Sequence, residues 1–313
     1  MRGSDPAWPR PVTLLRCASC ASAVTAAPAP QDGHDAGQYA TAAPRGAQPA
    51  GPLLRLFDRH RLALVRAAGA GPPGRLLDAG AGRGRFVESA RAAGYEAHGL
   101  EPSARGVSAA RAAFGLELVR AGIEDAAVDP GSLDAVTLWH VLEHLDDPGE
   151  ALARVGDWLR PGGAVLVGVP NAASLQARLG GPVWLHLDVP RHRTHFTAQG
   201  LRALLRAHGL EPLHTHHVLA EHNPFGLWQS LVSRTTPTPS WLFHLLKRNA
   251  PLTAADAVPT ALALPLAPLA AAAELLAGLW RRGGTIAISA RRVHRAPQPR
   301  RRHPPARPQG AAP

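Results

Sequence analysis

Apolar positions first fall into a helical rhythm at Leu53, Leu56, Leu62, Leu64 and Val65, and the glycines and prolines from Gly69 to Pro73 stop it. An amphipathic helix running to about Ala68 is the expectation. Short apolar runs at 75–79, 96–100, 117–120, 133–139, 164–169, 210–219 and 285–290 then read as strands. Between them, 86–93, 103–114, 148–159 and 199–207 read as helices. Gly94, Gly115 and the Arg160-Pro161-Gly162-Gly163 turn close three of them. Alternation of this kind predicts an α/β fold: a Rossmann-like, seven-stranded, mostly parallel sheet with helices on both faces.

The strand at 285–290 comes late, so residues 220–282 form a helical insertion, or cap, before the last strand. The expected organisation is a mostly disordered segment at 1–50, a core at 51–219, the insertion, a last core strand at 283–292, and a disordered Arg/Pro-rich tail at 293–313. An apolar stretch at 257–273 approaches membrane-spanning length but is broken by Pro259, Pro265 and Pro268.

Composition changes this picture little. The formal charge is +11 over 313 residues, but seven arginines and no acid lie between Arg291 and the C-terminus. Lys247 is the sole lysine, and Ala, Arg, Gly and Pro dominate throughout, so the basic balance reads as a genomic imprint and not as a nucleic-acid surface. Cys17 and Cys20 are the only cysteines, too few for a disulfide framework or an all-cysteine zinc site. The N-terminus lacks a basic segment followed by an apolar run, so a cytoplasmic protein is the expectation.

The segment Leu76-Leu77-Asp78-Ala79-Gly80-Ala81-Gly82-Arg83-Gly84-Arg85-Phe86 leaves a strand, turns through three glycines and enters a helix. A dinucleotide fingerprint needs its third glycine where Arg85 stands, and does not normally carry an acid two residues before the first glycine. A sulfonium cofactor with an amino-acid ammonium group suits Asp78 better. One strand later, Gly99-Leu100-Glu101-Pro102-Ser103 offers a carboxylate that can accept both hydroxyls of a ribose.

These segments, followed by Ala121–Asp125 (AGIED), Leu138–Pro148 (LWHVLEHLDDP) and Leu159–Asn171 (LRPGGAVLVGVPN), resemble class I S-adenosylmethionine-dependent methyltransferases. They are similar to the bacterial ubiquinone-biosynthesis O-methyltransferase type. The likeness covers about residues 50–220. It implies S-adenosyl-L-methionine as cofactor, with Asp78, Ala79, Gly80 and Gly82 around its methionine part. Glu101 would hold the ribose and Ile123 and Glu124 the adenine edge, while Pro102, His140 and Val141 line the cofactor. The family often carries a zinc knuckle built from two Cys-x-x-Cys pairs; only one pair exists here, and no metal is expected.

His140-Val-Leu-Glu143-His144 also matches an inverted zinc-protease spacing, but it follows a buried strand and meets Asp146-Asp147-Pro148 at once, which argues against a helix. His214, His216 and His217 alternate along a strand and do not share one face. The stretch from Trp184 to Phe196 is dense in His, Asp and Arg. His192 and His195 are the candidate bases there, against a structural loop pinned by Pro190. The expected acceptor is a small molecule or lipid-like, with O-methylation favoured, and aromatics and Arg flanking the apolar insertion suggest peripheral contact at the inner face of a membrane. RNA binding or modification through the tail, and a non-catalytic cofactor-binding module, are the competing readings.

Overall fold

A computed structural model describes residues 12–27, 51–221, 223–247 and 250–293. Two short strands, β1 (Leu14–Arg16) and β2 (Ala23–Thr25), form a hairpin. Helix α1 (Gly51–Ala67) precedes the alternation β3 (Arg75–Ala79), α2 (Arg85–Ala92), β4 (Glu96–Leu100), α3 (Ala104–Phe114), β5 (Leu133–Trp139), α4 (Pro148–Trp158) and β6 (Leu159–Pro170). After α5 (Leu175–Gly180), strand β7 (Thr194–His195) pairs with β2, and α6 (Ala198–Ala207) leads to β8 (Leu210–His216). Four helices follow, α7 (Asn223–Val232), α8 (Trp241–Leu246), α9 (Ala254–Ala263) and α10 (Ala267–Leu279), before β9 (Thr285–Arg292).

The main sheet has six strands in the order β4-β3-β5-β6-β9-β8. The first four are parallel, while β9 runs antiparallel to both β6 and β8. The expected seventh strand at 117–120 is reduced to one parallel bridge, Leu100 to Val119. The reason is local: Ala121 N–H bonds back to Val119 O at 3.0 Å, which turns the chain away from the sheet edge after a single pairing.

Buried strands carry the apolar run on both faces. On one side Leu152, Val155 and Trp158 of α4 and Leu201 and Leu205 of α6 pack against β5, β6 and β9. Leu62 and Val65 of α1, Phe86 and Val87 of α2 and Ala110 of α3 cover the other. Local signals set the ends of these helices: the side chains of Ser103, Asp147 and Thr197 accept the N–H of Gly106, Glu150 and Gly200. The chain passes from β3 to β4 on one side and then to β5 on the other, so a crevice opens beyond the strand C-termini between β3 and β5.

Part of the N-terminal segment is ordered. Residues 12–27 are ordered as a hairpin, because β2 joins β7 and Val12 packs with Trp184, Leu187 and Val189. These partners lie more than 150 residues away, beyond the reach of any local pattern. Residues 28–50 and the Arg-rich tail from 294 onward fall outside the described residues.

Candidate cofactor and acceptor site

Strand β3 delivers Asp78 to the crevice and then must turn at once. Gly80 does so at φ 82°, with its own N–H and that of Ala81 both bonded to Leu100 O at 2.8 Å. A side chain there would be strained, and its Cβ would fall 2.3 Å from Val141 Cγ2. Gly82, at φ 57°, is different: a Cβ there meets nothing within 4 Å, because the loop faces open cavity. Backbone is thereby bared to a ligand.

Glu101 stands opposite. It is buried, and its two carboxylate oxygens accept Gly82 N–H at 2.7 Å and Ser103 N–H at 2.9 Å. Asp78 is also buried and accepts Thr137 Oγ1–H at 2.5 Å. Burial outweighs that hydrogen bond and pushes its carboxyl up to about 6. An ammonium group brought beside it would reverse part of the shift, so the geometry suits a cationic partner.

One cavity of about 2340 Å³ takes in all of this. Asp78, Gly80, Gly82, Glu101, Pro102, Ile123, Glu124, His140 and Val141 line it. Ala79 is instead fully buried in the core beneath the loop, since alternate positions of a strand face opposite sides. His140 adopts φ 55°, unusual for a residue with a Cβ, and its Nδ1 lies 2.9 Å from Glu143 Oε1. That bond ties His140 to Glu143, so the two histidines of the inverted zinc spacing do not act as a pair on one helix; residues Leu142–His144 form a single 3-10 turn.

An ion network closes the glycine-loop side. Asp58 of α1 is fully buried and pairs with Arg85 of α2 at 2.6 Å, and Arg61 Nε donates to Glu221 Oε2 at 3.0 Å. Arg61 also lies over the Trp139 ring, 4.2 Å from its centre. None of these residues stood out in the sequence. Arginine is common throughout the chain, and the acids that select Arg61 and Arg85 come from other elements.

The far side of the cavity is built from the loop after β6 and from the insertion. His144, His186, Asp188 and His192 face Phe225 of α7 and Phe243, His244 and Lys247 at α8. The ring of His192 is buried, and its Nδ1 bonds to His186 O at 2.8 Å. Burial first, then the neighbouring His144 and His195, hold its pKa well below the ordinary histidine value. His195 points the other way: its Nε2 lies 3.0 Å from Thr25 Oγ1 of the hairpin, and it is not among the cavity-lining residues. Burial lowers its pKa to about 4.

A mostly parallel sheet with a glycine turn and a carboxylate at the ends of its first two long strands defines a cofactor-binding α/β class. The chain belongs to the methyltransferase-domain family, which matches residues 53–215. Its cofactor is S-adenosylmethionine. Among curated relatives, it is 28% identical over 151 residues to a ubiquinone biosynthesis O-methyltransferase of Xanthomonas campestris pv. campestris, covering 46% of this chain. The chain spans 63% of that relative's length. A relative of the same name from Bordetella bronchiseptica is 31% identical over 176 residues, 52% of this chain and 71% of its own length. Among solved structures, the [4+2]-cyclase SpnF superposes with a TM-score of 0.50 at 21% identity, over 75% of this chain and 80% of that one. This last likeness concerns the fold.

Proposed function

We propose that the chain transfers the methyl group of S-adenosylmethionine to a hydroxyl of a small or lipid-like acceptor. The observation that carries the reading is the pairing, on one cavity, of the Asp78–Gly82–Glu101 cradle with a separate wall of aromatic and histidine side chains from the insertion. Its volume, about 2340 Å³, exceeds the roughly 300–1000 Å³ of a single-ligand pocket and leaves room for two molecules. Asp78 attracts the cofactor's ammonium group, Glu101 accepts the ribose hydroxyls, and Gly80 and Gly82 let the backbone approach. Ile123, Glu124 and Pro102 border the adenine, and His140 and Val141 close over the sulfonium end.

Bound there, the cofactor supplies an electrophilic methyl on a positively charged sulfur. The acceptor oxygen's lone pair forms the O–CH3 bond, the C–S bond breaks with its electrons left on sulfur, and the hydroxyl proton leaves to solvent. The chain contributes alignment above all. His192 faces this space but, held neutral by burial, is a weak base; His195, turned toward Thr25, serves the loop's architecture.

Peripheral membrane contact at the inner face of a cytoplasmic membrane forms part of the same proposal. The segment Ala254–Leu279 is a 26-residue helical stretch with mean hydropathy 1.8 in its most apolar window, of which 22% is buried. Val258, Leu262, Leu269, Leu275, Leu279 and Trp280 are each more than half exposed, and Arg281 and Arg282 follow at the end. Helix α7, which walls the acceptor space, packs against α9 and α10, and α8 against α9. The test is twofold. Titration with S-adenosylhomocysteine should show one binding site, lost in Asp78→Ala, and methyl transfer to catechol-type hydroxyls should follow. An unaltered affinity in that variant sinks the assignment of the cradle.

A further inference from the structure

At the acceptor end of the cavity, three side chains from two segments converge. Glu143 and His144 sit on the 3-10 turn after β5, and His192 on the loop after β6. One ligand atom from each lies within 4.8 Å of the others. A tetrahedral ion with ligands at about 2.1 Å asks for donors about 3.4 Å apart, within reach of modest side-chain rotation. We propose that Glu143, His144 and His192 form a binding site for one divalent transition-metal ion of the zinc type, opening into the acceptor space.

Four observations carry this. Glu143 is buried with 1% exposure, and its Oε2 has no hydrogen-bond partner among the described residues, a costly arrangement for a carboxylate oxygen that has nothing to bind. His192 donates Nδ1–H to the His186 carbonyl at 2.8 Å, which leaves Nε2 with its lone pair free of a proton; such an outer hydrogen bond is how metal-ligating histidines are oriented. The two segments are fixed against each other, because Arg193 N–H donates to Glu143 O at 2.7 Å, and the hairpin holds the second of them, Thr25 Oγ1–H donating to His192 O at 2.6 Å. The rings of His144 and His192 stand edge to face with centres 4.6 Å apart, and both line the cavity, so the remaining coordination position faces the space for a ligand.

Two imidazoles and one carboxylate suit zinc and its neighbours and do not suit magnesium or calcium, which prefer oxygen throughout. The inverted zinc spacing sets His140 with His144, whereas the fold brings to His144 a histidine 48 positions further along the chain. Resting on the methyltransferase reading, the site gives the acceptor its class: a hydroxyl compound that reaches the cation through oxygen, as a phenol or catechol does. A cation there polarises the hydroxyl and eases loss of its proton.

The experiment is zinc titration by calorimetry on the full chain, stripped with chelator and carrying Cys17→Ser and Cys20→Ser so that thiols do not compete. Cobalt supplies a second readout through its visible absorption. One Zn2+ per chain is expected, with Glu143→Gln and half-exposed His144→Ala each weakening it by more than about tenfold and losing the cobalt spectrum. Unchanged far-UV circular dichroism and thermal melting of both variants, with unchanged affinity for S-adenosylhomocysteine in His144→Ala, show that they are folded. Absence of stoichiometric zinc, or equal zinc affinity in the parent and both variants, overturns the site. Failure of the parent to bind S-adenosylhomocysteine would overturn the methyltransferase reading instead, and leaves the zinc result standing on its own.

Discussion

Replacing Glu101 by glutamine removes one charge and one acceptor from the centre of the cofactor cradle. In the native chain one oxygen accepts Gly82 N–H and the other Ser103 N–H, and the side chain lines the cavity. Glutamine can satisfy one of these N–H groups with its oxygen, but its amide nitrogen then meets the other donor to donor. Two effects follow. The charge-assisted bonds to the ribose hydroxyls, about 1.5–3 kcal/mol, are lost, and one part-buried backbone N–H loses its protein partner at about 0.5–1.5 kcal/mol of folding stability. The first effect translates into a roughly 10- to 150-fold weaker affinity for S-adenosylhomocysteine. Calorimetric titration of wild type and Glu101→Gln measures it, with urea denaturation of each to read the second effect. Glu101→Asp, which retracts the carboxylate by one methylene, should fall between the two. An affinity within about threefold of wild type would refute the role assigned to Glu101, whatever the change in stability.

Asp78 supplies a pH test. Its folded-state pKa is raised to about 6 from 3.8, so its contribution to stability is present below 3.8 and is lost as pH rises through about 6. Asp78→Asn should therefore be more stable than the wild-type apo chain at pH 8, by up to about 3 kcal/mol in urea denaturation, and no more stable at pH 4. Cofactor affinity should move the opposite way, rising through about pH 6 in the wild type as the carboxylate forms, and staying flat and weak in the variant. In the ion network, Arg85→Met strands buried Asp58 and should cost about 3 kcal/mol, most of it recovered when Asp58→Asn is added; chemical denaturation of the single and double variants decides this. For the apolar insertion, Leu262→Asp with Trp280→Asp should abolish flotation with anionic liposomes while leaving cofactor affinity intact. Equal flotation of variant and wild type would remove the membrane contact from the proposal.

The sequence by itself determined the alternating core and the cofactor cradle. Each of those features is encoded within a few residues: apolar runs of strand length, helix caps at Ser103 and Asp147, and the glycines that let the chain turn from β3 into α2. Because strand ends in an open α/β sheet share one edge, the sequence pattern already sets Asp78 and Glu101 side by side. Tertiary structure alone decided the rest. The hairpin at 12–27 exists because β7 offers it an edge. Arg61 and Arg85 became a clamp through acids in other elements, and His192 joined Glu143 and His144 across a gap that no spacing rule spans. Periodicity reports what a residue does to its own helix or strand. Which distant group it meets is settled only when the burial of the whole sheet brings the loops together.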